Sequence, residues 1–428
     1  MPPDLTGVPG RKWTAPTVDN RRGPCVRLPI RERPPAQLAV ADDAPTALDL
    51  FCGAGGMSLG FALAGFRIAG GIDSNERAME THAHHFGGHD KPIELSEDFG
   101  VDEALHALGV NRVDVLVGGP PCQGFARVGK GKILSLLRPT MKEEELADYD
   151  DPRNSLYRQY LRFVDKLKPE FVVMENVPDM YLHQDGEVVR AIICDLDRLG
   201  YGHAKPLLLS AADYGVPQTR QRLFIVANRV GLPVAAPIPV TERHPVTLKQ
   251  AIRDLPRVRP EESADELPYD LPRDAFAYAR RMRQGVPRHE RGIIYDHVVR
   301  QYNAQDQEAF SILEEGGRYV DLPGHLRRYR SDIFDDKYHK LYWSKPSWTV
   351  TAHIAKDGYK YIHPDRLQAR TITAREAARI QSFPDWFRFA GHRTSRLKQI
   401  GNAVPPLLAR AIGEVVREQI RSLPGVRG

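Results

Sequence analysis

A cysteine that follows two prolines is the residue of this chain best placed to act as a nucleophile. Cys122 stands in the run Gly-Pro-Pro-Cys-Gln-Gly, after the mostly apolar stretch 113–117, which predicts a buried strand. In an open α/β sheet, ligands bind outside the carboxyl ends of the strands. The two prolines fix the φ angles of the turn that presents the thiol. An isolated free cysteine is more often a buried structural residue, so a second reactive group is needed to favour catalysis.

A carboxylate at the end of another apolar run is a candidate for that second group. Residues 171–174 read Phe-Val-Val-Met and predict a strand, and Glu175 and Asn176 follow it directly. Taken alone, a carboxylate in such a place is more often an exposed loop residue than a catalytic one. The order of strand, thiol, strand and carboxylate is more informative, because it places both reactive groups at strand ends.

A glycine-rich turn precedes both groups in the sequence. Residues 46–51 predict a strand, and Cys-Gly-Ala-Gly-Gly-Met-Ser follows at 52–58. Glycines there let the backbone approach a ligand closely, but Ser58 stands where a dinucleotide fingerprint has its third glycine. Asp73 follows the next predicted strand, 66–72, at the position where such folds place an acid on a ribose hydroxyl. An adenosyl cofactor therefore fits better than a dinucleotide.

Taken in order, these motifs resemble the DNA cytosine-5 methyltransferases. The resemblance runs from Ala47 to the last predicted helix, and it leaves out residues 1–45 and a variable middle part. Further matching segments are 96–99, 218–222, 375–384 and 399–405. The resemblance implies an α/β fold, with a doubly wound, Rossmann-like methyltransferase domain around a mostly parallel sheet. A smaller, irregular target recognition domain is expected beside it.

The resemblance also implies a set of site residues. It assigns catalytic roles to Cys122, Glu175, Arg222 and Gln123. The implied cofactor is S-adenosyl-L-methionine, with S-adenosyl-L-homocysteine as product and no metal. The cofactor-binding residues that it implies are Asp49, Phe51, Gly53, Gly55, Gly56, Asp73, Ser74, Asp98, Pro120 and Asn402. Ser74 departs from the family, which often has a bulky residue stacked on adenine there. Either Ile72 or Phe51 covers the ring instead, or the affinity for the cofactor is lower.

The mechanism implied by the resemblance begins with addition of the Cys122 thiolate to C6 of cytosine, which makes C5 nucleophilic. A free thiol has a pKa of ~8.5, so the site is expected to favour the thiolate. Glu175 would hydrogen-bond the N3 and amino edge of the base, and Arg222 would stabilise developing negative charge. Loss of the C5 proton and elimination of the cysteine complete the reaction. The base must first leave the duplex, which costs about a few kcal/mol.

Double-stranded DNA is the partner that the resemblance implies. The residues expected to contact it are Lys130, Lys132, Arg220 and Thr349. The two lysines lie in the polar segment 127–151, interpreted as a lid over the flipped base, although a solvated insertion is the alternative for its glutamate-rich half. Arginines and tyrosines alternate within 230–368, which suits a nucleic-acid surface, although a solvated arginine-rich face has the same composition.

The composition agrees with this interpretation. At 428 residues, the chain is long enough for a catalytic domain and a smaller second domain, and its net charge of +5 is mild. Its four cysteines show no CxxC spacing, so neither a zinc site nor a disulfide scaffold is indicated. No apolar run is long enough for a membrane span and no signal-peptide pattern is present. A cytoplasmic protein is expected, monomeric, with a cognate restriction endonuclease or other defence components as candidate partners.

Four regions are predicted along the chain. They are an N-terminal Pro/Arg-rich arm (1–45), a catalytic S-adenosylmethionine-binding domain (46–229), a target recognition domain (230–368) and a C-terminal segment that returns to the catalytic domain (369–428). The mixed charge of the arm favours its draping over the domain rather than touching DNA. The last helix is expected to pack on the first strands.

Two other functions stay open on the sequence. An RNA cytosine-5 methyltransferase acting on transfer RNA shares the motif set, but those enzymes usually carry a short Cys-Phe-Thr signature and a small recognition region, which this chain lacks. A catalytically silent DNA-binding module would keep the fold. The presence of Cys122, Glu175 and Arg222 argues against that module, because DNA binding needs no nucleophile beside a carboxylate.

Overall fold

A six-stranded sheet forms the centre of the structure. The computed structural model describes residues 25–30, 35–96, 100–121, 156–182, 186–259, 264–328 and 337–423. The strands are β1 (Thr46–Leu50), β2 (Arg67–Ile72), β3 (Val115–Gly118), β4 (Phe171–Asn176), β5 (Lys205–Ser210), β6 (Gln218–Thr219), β7 (Gln221–Asn228), β8 (Glu266–Pro268), β9 (Ile293–Tyr295) and β10 (Ser347–Trp348). The six-stranded sheet has the spatial order β2-β1-β3-β4-β7-β5.

The sheet is mostly parallel, which confirms the predicted fold class. Strands β2, β1, β3 and β4 run parallel to one another. Strand β7 lies between β4 and β5 and is antiparallel to both. The carboxyl ends of β1, β3 and β4 therefore share one edge of the sheet with the amino end of β7. Two further pairs join β10 to β6 in parallel and β8 to β9 in antiparallel orientation.

Helices cover both faces of the sheet. They are α1 (Gly56–Leu63), α2 (Glu76–Phe86), α3 (Val101–Leu108), α4 (Leu156–Leu167), α5 (Asp179–Leu182), α6 (Glu187–Arg198), α7 (Leu248–Ile252), α8 (Ala277–Arg283), α9 (Ala304–Ile312), α10 (Ala374–Ile380), α11 (Arg393–Asn402) and α12 (Pro406–Arg421). Short 3-10 helices lie at Ala36–Leu38, Ala211–Tyr214, Arg288–Glu290, Tyr319–Asp321, Gly324–Leu326, Ala352–Ala355, Tyr359–Tyr361 and Arg366–Gln368.

The central strands bury side chains on both faces, as doubly wound sheets require. In β4, Val173 joins the apolar core on one face and Val172 joins the core on the other. Strand β3 repeats this alternation with Val117 and Leu116. The alternation follows from the two-residue period of a strand. The sequence predicts that α12 packs on the first strands, but it packs mainly on α1. The reason is that α1 lies between α12 and those strands.

Local signals account for the starts of three helices. The Asn75 side chain accepts the Ala78 N–H at 3.0 Å and caps α2. Thr373 and Glu376 form a capping box at the start of α10. Pro406 occupies the first turn of α12, where its missing N–H costs no helical hydrogen bond.

The described part of the N-terminal arm packs on the rest of the described chain. Val26 forms an antiparallel bridge with Gly391, and the Leu28 N–H donates to Glu80 Oε1 at 2.9 Å. The side chains of Leu28 and Leu38 are buried. Residues in 25–30 and 35–45 therefore pack against later parts of the chain, and the role of the arm stays a prediction.

A separate aromatic core lies within the predicted target recognition domain. Phe310, Tyr319 and Tyr338 are buried in it, with Tyr302 and Tyr359 packed against them. By contrast, apolar residues between 234 and 294 belong to the same core as the central sheet. Because these residues share a core with the central sheet, their packing marks no domain boundary at residue 230. The predicted start of the second domain there stays a prediction.

Buried ion pairs connect the C-terminal segment to the preceding residues. The Asp296 carboxylate accepts from Arg375 at 2.9 Å and from Arg396 at 2.8 Å. Arg379 and Asp385 pair at 2.7 Å beside them. All five side chains are buried, so each charge depends on its partners rather than on water.

Replacing Asp296 with asparagine is expected to destabilise the protein by about 3–5 kcal/mol, because it leaves two buried guanidinium groups short of compensating charge. Urea unfolding followed by tryptophan fluorescence measures the change. Asp42→Asn is the matched control, since Asp42 is exposed. Equal unfolding midpoints for the two variants would show that the buried pairs contribute little.

Candidate active site

An ion pair between Glu175 and Arg222 lies where β4 ends and β7 begins. The two strands are antiparallel, with Asn176 opposite Leu223, so the last residues of β4 face the first of β7. The Arg222 Nε donates to Glu175 Oε1 at 2.7 Å, and the two side chains are only 12% and 13% exposed. Burial lowers the pKa of Arg222, and the attraction of Glu175 opposes that shift. The structure thus brings together two residues predicted to be catalytic.

The turn before the predicted nucleophile is held against the same carboxylate. Gly119 approaches Glu175 so closely that a Cβ on it would lie 2.9 Å from Oε2. The Asn176 side-chain amide donates to the carbonyl of Pro120 at 3.1 Å, which ties the end of β4 to this turn. The chain therefore enters the nucleophile motif beside the carboxylate. Two predicted catalytic residues, Cys122 and Gln123, lie outside the described residues.

The glycine-rich turn and Asp73 lie together at the ends of β1 and β2. Asp73 accepts the Gly53 N–H at 2.9 Å through Oδ2 and the Asn75 N–H at 2.8 Å through Oδ1. Burial raises the pKa of Asp73, although the backbone hydrogen bonds lower it. Apart from Gly53 itself and its two chain neighbours, no atom of the described residues lies within 4 Å of where a Cβ on Gly53 would be. A carboxylate beside open backbone suits the hydroxyl donors of a ribose, so these residues fit an adenosyl cofactor.

Asp49 acts beneath the turn rather than on its surface. It is 2% exposed, and its Oδ2 accepts both the N–H of Ser58 at 3.0 Å and its hydroxyl at 2.6 Å. Burial raises the pKa of Asp49 to about 7, although the hydrogen bonds from Ser58 lower it. The predicted direct contact between Asp49 and the cofactor is thus corrected, because its carboxylate is engaged in holding the first turn of α1.

His82 completes this support. Its Nε2 lies 3.0 Å from the Ser58 hydroxyl, and burial lowers the pKa of His82 to about 3, which keeps the ring neutral. The Ser58 hydroxyl therefore contacts both the Asp49 carboxylate and the neutral His82 ring. A chain of buried polar groups from β1, α1 and α2 therefore sets the position of the glycine-rich turn.

Other predicted cofactor residues surround this turn. The carbonyl of Val404 lies so close to Gly56 that a Cβ there would be 2.3 Å away, which brings the exposed Asn402 near the start of α1. Phe51 is half-buried and Ile72 only 1% exposed, so Phe51 is the accessible one of the two predicted covers for adenine. The remaining predicted cofactor residues are Gly55 and Pro120, which are buried, Ser74, which is exposed, and Asp98, which lies outside the described residues.

Arg220, which the sequence predicts to contact DNA, lies in the interior of the protein. It is 1% exposed, and its guanidinium donates to the carbonyls of Val350 at 2.6 Å and Gly401 at 3.3 Å. The prediction is corrected because the small β6–β10 sheet carries this side chain into the interior. Thr349, next to Val350 in the chain, is half-buried and donates to the Thr219 carbonyl at 2.9 Å. Lys130 and Lys132 lie outside the described residues.

The tyrosines between 230 and 368 serve mostly as core residues. Tyr278, Tyr295 and Tyr319 are buried, and the arginines near them bond to backbone: Arg283 donates to the Arg291 carbonyl at 2.6 Å. The interpretation of this alternation as a nucleic-acid surface is therefore wrong for these three tyrosines. Their burial depends on contacts with distant elements, which composition does not encode.

Two residues that support the site, Asn176 and His82, are not assigned a role by the sequence. Asn176 belongs to a recognised motif, yet its bond to the Pro120 turn depends on the pairing of β3 with β4. His82 stands in a helix with no motif, and its distance from Ser58 in the sequence gives no signal of their contact. Among the described residues, no three or more metal-binding side chains are grouped so as to hold a metal ion. Within the same ranges, none of the helices has the length and apolar character to cross a membrane.

Comparison with known proteins gives a consistent result. The family model of C-5 cytosine-specific DNA methylases matches residues 46–418. Type II methyltransferase M1.HphI of Haemophilus parahaemolyticus is 34% identical over 372 residues, which cover 87% of this chain and 86% of that protein. Type II methyltransferase M.DdeI of Desulfomicrobium norvegicum is 33% identical over 392 residues, covering 86% and 87% respectively.

Solved structures show the same architecture. The crystal structure described for a prophage-encoded DNA modification methyltransferase of E. coli superposes with a TM-score of 0.66 at 25% identity, covering 89% of this chain and 100% of that one. The Entamoeba histolytica methyltransferase EhMeth superposes with a TM-score of 0.51 at 14% identity, covering 88% and 99%, and supports the fold alone.

Proposed function

Because the chain belongs to the C-5 cytosine-specific DNA methylases and is an S-adenosylmethionine-dependent DNA cytosine-5 methyltransferase of restriction-modification type, we propose that it methylates a flipped-out cytosine in one short duplex sequence through a covalent Cys122 adduct. The observation that carries this proposal is the Glu175–Arg222 pair at 2.7 Å beside the turn that leads to Cys122. The pair supports the proposal because it combines a hydrogen-bonding carboxylate with a positive charge beside Gly119, which precedes the predicted nucleophile.

The proposed chemistry uses these three residues. Cys122 adds to C6 of the cytosine ring as a thiolate, and electron density moves toward N3 and C5. Glu175 holds the N3 and amino edge, and Arg222 stabilises the added negative charge, as preorganised electrostatics require. After methylation, removal of the C5 proton lets the ring expel the Cys122 sulfur.

The cofactor site is proposed around the glycine-rich turn. Asp73 accepts hydrogen bonds from the ribose hydroxyls, Phe51 covers the adenine, and Asn402 approaches from the C-terminal segment. Asp49 and Ser58 support the turn from beneath. Bound S-adenosyl-L-methionine supplies an electrophilic methyl group. S-adenosyl-L-homocysteine is the expected product.

Duplex DNA is proposed to lie across this edge of the sheet, contacted by Thr349 and by Lys130 and Lys132. The regions 230–368 and 369–428 are proposed as the target recognition domain and the returning C-terminal segment. A cognate restriction endonuclease, or another defence component, is the proposed partner in the cell, and a monomer is the proposed active form.

Bisulfite sequencing tests the proposal. A methylation-free bacterial host expressing this chain is expected to carry protected cytosines in one recurrent short context, and the same host with an empty vector is expected to carry none. Protein that is folded and binds S-adenosyl-L-methionine but protects no cytosine would contradict the proposal. Transfer RNA from the same cells would then be sequenced for 5-methylcytosine.

Replacing Gly119 with alanine is expected to lower kcat at least about tenfold. The added Cβ would lie 2.9 Å from Glu175 Oε2, which is closer than Cβ atoms approach other heavy atoms, so the carboxylate must move. Misplacement of a positioned group by about 1 Å can cost on the order of 10²-fold in rate. Steady-state methyl transfer measures the change, and Gly292→Ala is the control because its Cβ position is open. Unchanged kcat in Gly119→Ala would show that this close approach is not needed.

A further inference from the structure

Arg220 is a buried cation whose hydrogen bonds go to carbonyl oxygens. Its side chain is 1% exposed, and its Nε has no hydrogen-bond partner among the described residues. Burial lowers the pKa of Arg220 well below its usual value, and the nearby Arg222 lowers it further. A buried charge without a bonded counter-ion destabilises a fold. The residue therefore invites an explanation other than stability.

The contacts of Arg220 join two segments that serve different ligands. Nη1 donates to Val350, which lies next to Thr349 of the proposed DNA surface. Nη2 donates to Gly401, which directly precedes Asn402 of the proposed cofactor site. The guanidinium is planar and rigid, so a displacement of one carbonyl changes the geometry of the bond to the other.

A second buried path runs parallel to the first. The side-chain oxygen of Gln218 accepts the Val350 N–H at 3.0 Å, and Arg220 donates to the Val350 carbonyl. Both backbone polar groups of Val350 are therefore bonded to side chains from β6 and the residue after it. Gln218 Nε2 donates to Gln381 Oε1 at 2.7 Å. The Gln381 Nε2 then donates to the carbonyls of Ile400 at 2.6 Å and Ala403 at 3.3 Å. Gln218 and Gln381 are fully buried, and such satisfied networks are rigid.

We propose that Arg220 and Gln218 form a bridge that couples the binding of DNA at residues 349–351 to the binding of the cofactor at residues 400–403. Arg220 acts as a positioning residue, with no contact to either ligand. The inference rests on the proposed function, which supplies both ligands. Coupling of this kind is reciprocal, so each ligand raises the affinity of the protein for the other by the same factor.

Arg220→Lys tests the bridge, because lysine keeps a nitrogen donor on a long side chain but cannot donate to both carbonyls with a planar fork. The dissociation constant of S-adenosyl-L-homocysteine is measured by calorimetry with and without a duplex carrying the cytosine context mapped by bisulfite sequencing. In the wild type, the duplex is expected to tighten this binding roughly tenfold, within the usual range of coupling. In Arg220→Lys the factor is expected to fall below about twofold. The affinity for the duplex, measured with and without S-adenosyl-L-homocysteine, is expected to show the same loss of coupling.

Arg283→Lys is the matched control, since Arg283 is also mostly buried and donates to carbonyls away from the bridge. Wild-type coupling in Arg220→Lys would overturn the inference, and equal loss in Arg283→Lys would do so too, as a sign of general loosening. Should Arg220→Lys fail to fold, Gln218→Met removes the second path, and undiminished coupling in that variant would reject the bridge. A wild type that methylates DNA without coupling refutes only the bridge, whereas a wild type that methylates no cytosine refutes the proposed function.

Discussion

Replacing Cys122 with alanine is expected to lower the rate of methyl transfer by a factor on the order of 10⁴ or more, because removal of a covalent nucleophile leaves no route through the adduct. DNA binding is expected to change little, since the thiol acts on the base after it has been taken up. Transfer of labelled methyl groups from S-adenosyl-L-methionine to duplex DNA measures the first quantity. A gel-shift titration with the same duplex measures the second.

Two controls separate chemistry from folding. Cys194→Ala is the matched substitution, because Cys194 is exposed on α6, and it is expected to keep full activity. A duplex with 5-fluorocytosine at the target position is expected to trap the wild type as a denaturation-resistant complex, since fluorine cannot leave C5 as a proton does. Activity of Cys122→Ala near the wild-type rate, or a trapped complex formed by this variant, would refute the proposed mechanism.

Replacing Glu175 with glutamine is expected to lower kcat by about 10²–10⁴, the range for loss of a positioned acid or base group. Glutamine has nearly the same shape and can still hydrogen-bond the base. It cannot carry the negative charge that pairs with Arg222 at 2.7 Å. It also cannot exchange a proton with N3 of the base, as a carboxyl group can. The affinity for S-adenosyl-L-methionine is expected to stay near the wild-type value, because Asp73 and the glycine-rich turn are unchanged.

Glu170→Gln controls for the charge change in this second experiment. Glu170 directly precedes β4, at the opposite end of the strand from the site. Single-turnover rates with saturating DNA and cofactor isolate the chemical step. A rate for Glu175→Gln within about threefold of the wild type, against the range expected for such a group, would remove Glu175 from the proposed chemistry. A drop of equal size in Glu170→Gln would assign the effect to stability.

Much of the fold was predictable because its signals are local. The apolar runs that predict strands at 46–51, 66–72 and 171–174 correspond to β1, β2 and β4. The glycine-rich turn and the acid after the next strand lie together, as the order of motifs indicates. A strand followed by a turn needs only neighbouring residues to be recognised, since alternation and turn chemistry repeat over a few positions.

Other features depended on long-range packing. Arg220 and Arg222 stand two positions apart in one motif, yet the first is enclosed by Val350 and Gly401 whereas the second pairs with Glu175. Their different surroundings follow from the pairing of β6 with β10 and of β7 with β4.

The sequence by itself determined the family, the strand and turn order, and the identity of the proposed reacting groups, because those are properties of short ordered motifs. Only the tertiary structure decided that Arg220 and Asp49 act from the interior, that His82 supports the glycine-rich turn, and that the tyrosines of 278–319 are core residues. The physical reason is that burial of a side chain is set by elements far away in the chain, whose approach no local pattern records.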